Sequence, residues 1–385
     1  MGVLRFILGR AGTGKTFTCL SEIGAAAASD PFGPPLVLLV PEQATFQTES
    51  ALLRHCPGGG AFRAQVLSFR RLAHRVLLEA GGALRPHIAD TGKQMALRAL
   101  TARRRTDLRV FHGMAGHGGF GQRLAGVLSE LKAYRVTPRD LKAAAGRLQA
   151  PDPLRAKLED LALLYEDLED YLAGRYTDPD DYLALLAQRL PLARSLSGAA
   201  FWVDAFAGFT PAEYLVLEAL LKVASRVTVT LCLDPQGGDE EFLARSRETR
   251  EFLEDLVRTR GHVLEPPLCL AGPPPRLAGF PACAFLERHF FRRPAPVWRG
   301  APTGIRLWAA ADRRAEVEAA AREMVRLAQE EGLRFRDMLV LVRDPEPYRD
   351  LLTTVLTDYD IPFFIDDKRP VPELPEKYRP KKPHE

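Results

Sequence analysis

The stretch of sequence that decides the fold reads Gly9-Arg10-Ala11-Gly12-Thr13-Gly14-Lys15-Thr16. It fits the pattern G-x-x-x-x-G-K-[ST], which forms a phosphate-binding loop when a strand precedes it and a helix follows. The apolar run from Val3 to Leu8 predicts a buried strand before the loop, and residues 16–28 predict a helix after it. Pattern and flanks together predict a nucleotide-binding loop in an α/β fold.

The residue types in this loop suit polyphosphate chemistry. Glycines let backbone N–H groups point at phosphate oxygens, and the N-terminus of the following helix adds a favourable dipole. Lys15 is expected to reach the β- and γ-phosphates, and the Thr16 hydroxyl is expected to ligate Mg²⁺. The sequence therefore predicts ATP and Mg²⁺ as cofactors, with all eight residues 9–16 in the nucleotide site.

Magnesium in such a site also needs a carboxylate at the end of a neighbouring strand. Asp204 follows the apolar run Phe201–Val203 and is the better candidate. Asp234 follows the next strand and is the alternative, although Pro235 gives it the character of a turn residue. Both assignments stay open at the level of sequence.

Other apolar runs, at 36–40, 64–67, 201–206 and 227–233, alternate with helical patterns and predict a parallel sheet covered on both faces. Helical spacing dominates from Phe69 to about Leu190, which predicts a large all-helical insertion. Five glycines between Gly113 and Gly121 interrupt it. A flexible connection is the favoured reading there, and a second phosphate site is the alternative.

Changes in the pattern of apolar residues and prolines mark the boundaries of the predicted domains. The sheet domain takes residues 1–68 and 196–264, the helical insertion 69–195, a proline-rich linker 265–302, the start of a second α/β domain 303–369, and an unpacked tail 370–385. Strands are expected at 305–309, 338–342 and 361–365. Because the second domain stops after one βαβαβ round, we expect the chain to be a fragment or truncated product of a longer protein.

Composition excludes several classes of protein. Hydrophobic residues make up 46% and charged residues 26% of the 385, which is globular rather than disordered. A net charge of +4 permits a nucleic-acid partner without requiring one. No apolar run is long enough to span a membrane, no signal peptide is evident, and the five cysteines form no C-x-x-C pair. We expect a reduced, cytoplasmic chain with no membrane partner.

Five segments occur in an order that resembles a known family: the loop with its strand, LVPEQATF (39–46), LSFRRLA (67–73), WVDAFAGFT (202–210) and IPFFIDDK (361–368). Over residues 1–369 the chain resembles the N-terminal part of the B subunit of bacterial ATP-dependent helicase/deoxyribonucleases (AddB type), whose fold is similar to UvrD-like superfamily 1 helicases. The resemblance implies a RecA-like domain, a helical insertion and a second RecA-like domain. It also implies work with the A subunit of such a complex on DNA double-strand breaks, for recombination repair.

The chain departs from that pattern at the reaction centre. UvrD-like helicases carry Asp-Glu where this chain has Asp204-Ala205, so the residue that would orient the attacking water is missing. A positioned acid/base contributes about 10²–10⁴-fold, so we expect slow or absent hydrolysis. The arginine of the second domain, the nuclease carboxylates and the iron–sulfur cysteines of the family match no residue here, and an iron–sulfur cluster is expected only in a full-length member.

DNA contacts are expected above the sheet. By position the candidates are Thr45, Phe46, Ser68, Phe69, Arg70, Phe209 and Thr210. Aromatic rings would stack on bases, and hydroxyls and Arg70 would meet phosphates. Core packing is nevertheless the favoured interpretation of Phe69 and Phe209, and a solvated helix face is that of Arg70.

Three other interpretations of the chain remain open beside that of a helicase/exonuclease subunit. A non-hydrolysing P-loop scaffold would bind DNA, as ends and as single strands, and hold ATP as a structural ligand, which Ala205 favours. A small-molecule kinase explains the loop but not the helical insertion. A broken reading frame would leave exposed apolar faces in residues 305–365 and an aggregation-prone product.

Overall fold

The computed structural model describes residues 2–56, 60, 62–82, 85–149, 152–235 and 241–365. The chain divides into two compact units, Met1–Thr303 and Gly304–Glu385. The predicted tail 370–385 and the end of the segment 361–368 lie outside the described residues.

A parallel sheet of seven strands organises the first unit. The strands are β1 (Val3–Gly9), β2 (Leu36–Leu39), β3 (Ala64–Leu67), β4 (Ala200–Val203), β5 (Arg226–Cys232), β6 (Val263–Leu264) and β7 (Leu268–Leu270). Their order is β3-β2-β4-β5-β1, and β6 and β7 pair successively with the far side of β1. All pairings are parallel, so the carboxyl ends of the strands share one edge.

Helices connect and cover the strands. The first unit contains α1 (Lys15–Ser29), α2 (Thr45–His55), α3 (Phe69–Ala80), α4 (Asp90–Arg103), α5 (Phe120–Ala133), α6 (Pro138–Gly146), α7 (Pro153–Leu172), α8 (Tyr182–Arg189), α9 (Pro211–Val223), α10 (Ala244–Arg260) and α11 (Pro281–His289). Successive residues of β1 point to opposite faces: Phe6 joins the core beneath α3, α8 and α9, and Ile7 joins the core beneath α1 and α2. Both are fully buried, which confirms the predicted α/β fold with a doubly covered parallel sheet.

The helical insertion has a core of its own, built on α4, α5, α6 and α7 around Leu97, Leu128 and Leu164. Asp160 of α7 holds the chain that follows α4: its buried carboxylate accepts the backbone N–H groups of Arg109, Val110 and Phe111 at 2.8 to 3.0 Å. The separate core of α4, α5, α6 and α7 confirms the predicted all-helical insertion as an element of the fold.

The stretch 265–302, predicted to be an irregular proline-rich linker, differs from that expectation. Strand β7 pairs with β1 over residues 7–9, and helix α11 begins at Pro281. Proline is tolerated in the first turn of a helix, because the N–H that it lacks would have no partner within the helix there. Pro281 can therefore be the first residue of α11.

The second unit contains α12 (Arg313–Glu330) and α13 (Arg349–Asp358), which share a small core around Val317, Ala321 and Val355. The three strands expected at 305–309, 338–342 and 361–365 are not formed among the described residues of this unit. Leu307 and Phe364 are 96% and 88% exposed. A strand needs partners for its backbone groups, and the described part of this unit supplies none.

Candidate nucleotide-binding site

Strand β1 leads directly into the glycine-rich loop, which ends where α1 begins at Lys15. Gly12 and Gly14 have φ angles of 78° and 97°, a conformation that favours glycine because other residues meet a Cβ clash there. A methyl group at Gly9 would lie 2.4 Å from Thr13 Oγ1. The loop therefore needs its glycines to keep this tight shape, and the cradle fits a polyphosphate.

Lys15 folds back across the start of this loop. Its Nζ donates to the carbonyl oxygens of Gly9 and Arg10, both at 2.8 Å, and Thr13 Oγ1 donates to the Arg10 carbonyl at 2.9 Å. These are neutral acceptors, and an ammonium group bonds more strongly to an anionic oxygen. A bound phosphate would compete successfully for Lys15.

Thr16, Asp204 and Thr230 form the polar centre of the site. Thr16 Oγ1 donates to one carboxylate oxygen of Asp204 and Thr230 Oγ1 donates to the other, each at 2.6 Å. Asp204 is 2% exposed. Hydroxyl and carboxylate oxygens suit Mg²⁺, which commonly takes only one or two protein ligands beside phosphate and water. The described residues contain no group of three His, Cys, Asp or Glu that could hold a metal without such help.

The position of Asp204 corrects one detail of the sequence interpretation. The strand that carries Asp204, β4, is not adjacent to β1, because β5 lies between them. Thr230 on β5 bridges that gap. Sequence reasoning missed Thr230, although a hydroxyl within an otherwise apolar buried strand is a signal that it has a buried partner.

Buried polar contacts also fix helix α1 against the sheet. Glu22 of α1 pairs with Arg5 of β1 and accepts the indole N–H of Trp202 at 2.8 Å. Burial alone would raise the pKa of Glu22, but these two hydrogen bonds and the charge of Arg5 outweigh it and lower that pKa. Burial raises the pKa of the Cys19 thiol, and the negative charge of Asp204 adds to the rise. Cys19 is consequently an inert core thiol beside the site.

Ala205 turns the chain sharply after Asp204. Its φ angle is 66°, which is uncommon for a residue other than glycine, and its side chain is exposed. A methyl group can neither orient water nor move a proton. The residue that follows the buried carboxylate therefore adds strain to the site without adding a reactive group.

Arg10 lies in the loop, but its side chain is engaged elsewhere. Its Nε donates to both carboxylate oxygens of Glu287, at 3.1 and 3.3 Å, and its Nη1 lies 3.4 Å from Asp234. Asp234, the alternative metal carboxylate, thus pairs with Arg10, whereas Thr16 bonds to Asp204. No local pattern predicts the Arg10–Glu287 pair, because 277 residues separate its members.

Three of the seven candidate DNA residues line a second feature, a cleft of about 740 Å³ at the carboxyl ends of β2 and β3. Ser68, Phe69 and Arg70 line it from the sheet side, and residues 87–90 line it from the helical insertion. Its other charged lining groups are four carboxylates, those of Glu42, Asp90, Asp180 and Glu213. Such a lining repels phosphates, so this cleft suits bases better than a DNA backbone.

The individual candidates differ in how accessible they are. Phe46 is 78% exposed and Arg70 is exposed. Phe69 and Phe209 are buried in the core, where both pack against Phe206 with ring centroids 5.4 and 5.1 Å away. Each residue is only 7% exposed, so little of either ring is accessible for stacking in this conformation.

The hydroxyl candidates make local hydrogen bonds. Ser68 Oγ accepts the Arg71 N–H at the start of α3, and Thr210 accepts the Glu213 N–H at the start of α9. Thr45 Oγ1 donates to the Glu42 carbonyl. These three residues begin helices or stabilise turns, which explains their positions without a ligand.

Two general features accompany this site. All five cysteines are free thiols. Among the described residues no helix has the length and apolar character needed to cross a membrane.

Comparison with known proteins identifies the family of this chain. A family profile described as "ADDB, N-terminal" matches residues 6–287. Relatives named as the B subunit of an ATP-dependent helicase/deoxyribonuclease are 58% identical over 378 residues in Desulforudis audaxviator, 54% over 381 in Moorella thermoacetica and 42% over 381 in Geobacillus thermodenitrificans. These matches cover 96–97% of this chain and 32–33% of the relatives, so the chain spans about a third of their length. The chain belongs to the AddB N-terminal family.

Proposed function

We propose that this chain is the ATP-binding part of a helicase/deoxyribonuclease subunit that processes DNA double-strand breaks for homologous recombination. One observation carries the nucleotide part of the proposal. Thr16, which closes the glycine-rich loop, and Asp204, which follows a strand two positions away, form a hydrogen bond of 2.6 Å that joins an exposed hydroxyl residue to a buried carboxylate. This is the arrangement that a Mg²⁺–nucleotide site requires.

The residues have separate roles in this proposal. Backbone N–H groups of residues 12–16 hold the phosphates, and Lys15 leaves the carbonyls of Gly9 and Arg10 for the β- and γ-phosphate oxygens. Thr16 and Asp204 would hold Mg²⁺, which neutralises phosphate charge when bound. Thr230 orients Asp204 by donating a hydrogen bond to its second carboxylate oxygen.

Turnover is proposed to be slow. Ala205 stands where a water-orienting carboxylate is needed, and its methyl side chain cannot replace that group. The same observation favours a second function, that of a scaffold which binds DNA and keeps ATP as a structural ligand. The two functions agree on binding and differ on hydrolysis.

The binding claim is tested by calorimetric titration of the purified chain with Mg²⁺–ATP. Lys15→Ala should lower the affinity at least about tenfold, because it removes charge-assisted hydrogen bonds to phosphate. Lys157→Ala, which changes a lysine of the helical insertion, is the matched control and should leave the affinity unchanged. Equal affinities in wild type and Lys15→Ala would refute the proposed site.

DNA, as single strands and as ends, is the proposed macromolecular ligand. Exposed Phe46 and Arg70 support it best, because a base can stack on an accessible ring and Arg70 is the single arginine lining the cleft among the described residues. Phe46→Ala and Arg70→Ala should each weaken binding of a fluorescent single-stranded oligonucleotide by about tenfold, since stacking is worth ~1–3 kcal/mol per base. Phe62→Ala and Arg139→Ala, also exposed, are the controls and should not change it.

The wider assignments follow from family membership. We propose a cytoplasmic heterodimer with the A subunit of a helicase/nuclease complex. We also propose the domain plan given by sequence: a RecA-like domain, the helical insertion and a second RecA-like domain begun after residue 302. Nuclease chemistry and any iron–sulfur cluster would belong to other parts of a longer protein.

A further inference from the structure

The chain that follows β7 packs against the nucleotide loop. We call residues 271–289 the wall segment. A methyl group at Gly12 would lie 3.1 Å from the Cβ of Pro274 and 3.9 Å from the Cβ of Arg276. Pro274 is buried there, whereas Arg276 is exposed. The side chain of Arg276 therefore begins beside the loop that would hold the phosphates, with room to move.

Both ends of the wall segment are tied to the loop. Immediately before it, Leu270 of β7 lies opposite Gly9 in the sheet register. At its end, Glu287 of α11 accepts two contacts from Arg10 Nε, and the Glu287 carbonyl accepts Arg10 Nη2 at 2.9 Å. The Arg10 side chain is only 10% exposed, so this pair is shielded from water and salt. The wall segment is thus fixed relative to the loop at two points.

Arg10 and Arg276 differ in the charged side chains that surround them. Glu287 and Asp234 engage Arg10, which makes Arg10 a poor partner for a further anion. Arg276 is exposed and makes no ion pair or side-chain hydrogen bond with any residue that the structure describes. A triphosphate carries several negative charges, and an arginine fork binds phosphate oxygens in pairs.

We infer that Arg276 is a second phosphate-binding cation of the nucleotide site, beside Lys15, and that the Arg10–Glu287 pair positions it. The inference rests on the proposed nucleotide binding and deepens it. It assigns part of the site to the wall segment, outside the glycine-rich loop. Glu287 is a positioning residue in this account, because it acts through Arg10 and the wall segment.

The test is a set of Mg²⁺–ATP titrations on the full chain. Arg276→Ala should weaken binding about tenfold, the loss of one charge-assisted hydrogen-bonding group. Arg276→Lys should recover part of this loss, and binding of adenosine should be unaffected by either. Arg139→Ala, an exposed arginine of α6, is the control for charge alone.

Positioning by Glu287 is tested by a double-mutant cycle. Glu287→Ala should weaken ATP binding about threefold or more in the wild-type background, and less than about twofold when Arg276 is already alanine. Glu287→Gln, whose amide oxygen still accepts from Arg10, should retain most of the affinity. Additive effects, or tighter binding in Glu287→Ala, would overturn the positioning role.

These experiments distinguish a failure of the inference about Arg276 from a failure of the proposed nucleotide binding. If wild type binds ATP in a Lys15-dependent manner but Arg276→Ala matches it within about twofold, the inference about Arg276 is wrong and the proposed function stands. If wild type shows no Lys15-dependent binding, both are wrong.

Discussion

At the scale of single residues, the site depends on a buried aspartate and a strained alanine that are adjacent in sequence. Asp204 accepts two hydroxyl hydrogen bonds, whereas Ala205 has a φ angle of 66° and offers no reactive group. Strained backbone persists only where the surroundings impose it, and here the imposed turn follows the carboxylate that would hold Mg²⁺. The turn after Asp204 is thus present, and residue 205 contributes only a methyl group to it.

This strain predicts the effect of one substitution. Ala205→Gly should raise the free energy of unfolding by about 1 kcal/mol, because glycine adopts a positive φ without a Cβ penalty. Thermal denaturation of the purified chain measures it. Ala207→Gly is the control, since Ala207 is also exposed but has no positive φ, and it should be neutral or destabilising. Equal shifts in the two variants would show that Ala205 is not strained.

Prediction from sequence succeeded where the structure is local. The pattern from Gly9 to Thr16 predicted the strand, tight loop and helix, because all three lie within one short stretch. Glu287 could not be predicted, since its partner Arg10 is 277 residues away. Thr230 left a weak signal, a hydroxyl in a strand buried on both faces, which indicates a partner without identifying it.

At the scale of elements, a buried charge cluster holds the helical insertion together. Asp178 lies between Lys93 of α4 and Lys132 of α5, with contacts of 3.0 and 2.9 Å, and its side chain is 1% exposed. Burial alone would raise the pKa of Asp178, but Lys132 and Lys93 outweigh it and hold that pKa below its usual range. The cluster therefore links two helices to the segment that leads into α8.

Removing this carboxylate should be costly. Asp178→Asn should lower the free energy of unfolding by about 3 kcal/mol at pH 7, because two buried lysines lose a shared counter-charge. A folded-state pKa below the unfolded one gives stability that is present above the unfolded pKa of about 4 and is lost as the pH falls through the lowered value. The wild-type advantage over Asp178→Asn should consequently shrink below about pH 4 in urea denaturation.

Glu166→Gln is the matched control for that experiment. Glu166 pairs with Lys142 on the surface, where both side chains are exposed, and such pairs contribute about 1 kcal/mol or less. A similar loss in both variants would contradict the structural role of the buried cluster.

At the scale of the whole molecule, the fold follows from the sequence in the first unit and less so in the second. Continuous apolar strands predicted the doubly covered parallel sheet, because each strand finds a partner within the described chain. The strands expected around Leu307, Leu339 and Phe364 had the right composition but have no such partner among the described residues of their unit. Helices α12 and α13 need only local hydrogen bonds, and they formed as predicted.

The central claim is that this chain binds ATP through Lys15 and turns it over slowly because of Ala205. The most direct measurement follows ATP bound and phosphate released in one sample, for wild type and Lys15→Ala, with and without single-stranded DNA. The account predicts Lys15-dependent binding, with phosphate release near background in both proteins whether or not DNA is present. DNA-stimulated release that is lost in Lys15→Ala would contradict it, and would mean that a carboxylate at a position other than 205 orients the attacking water.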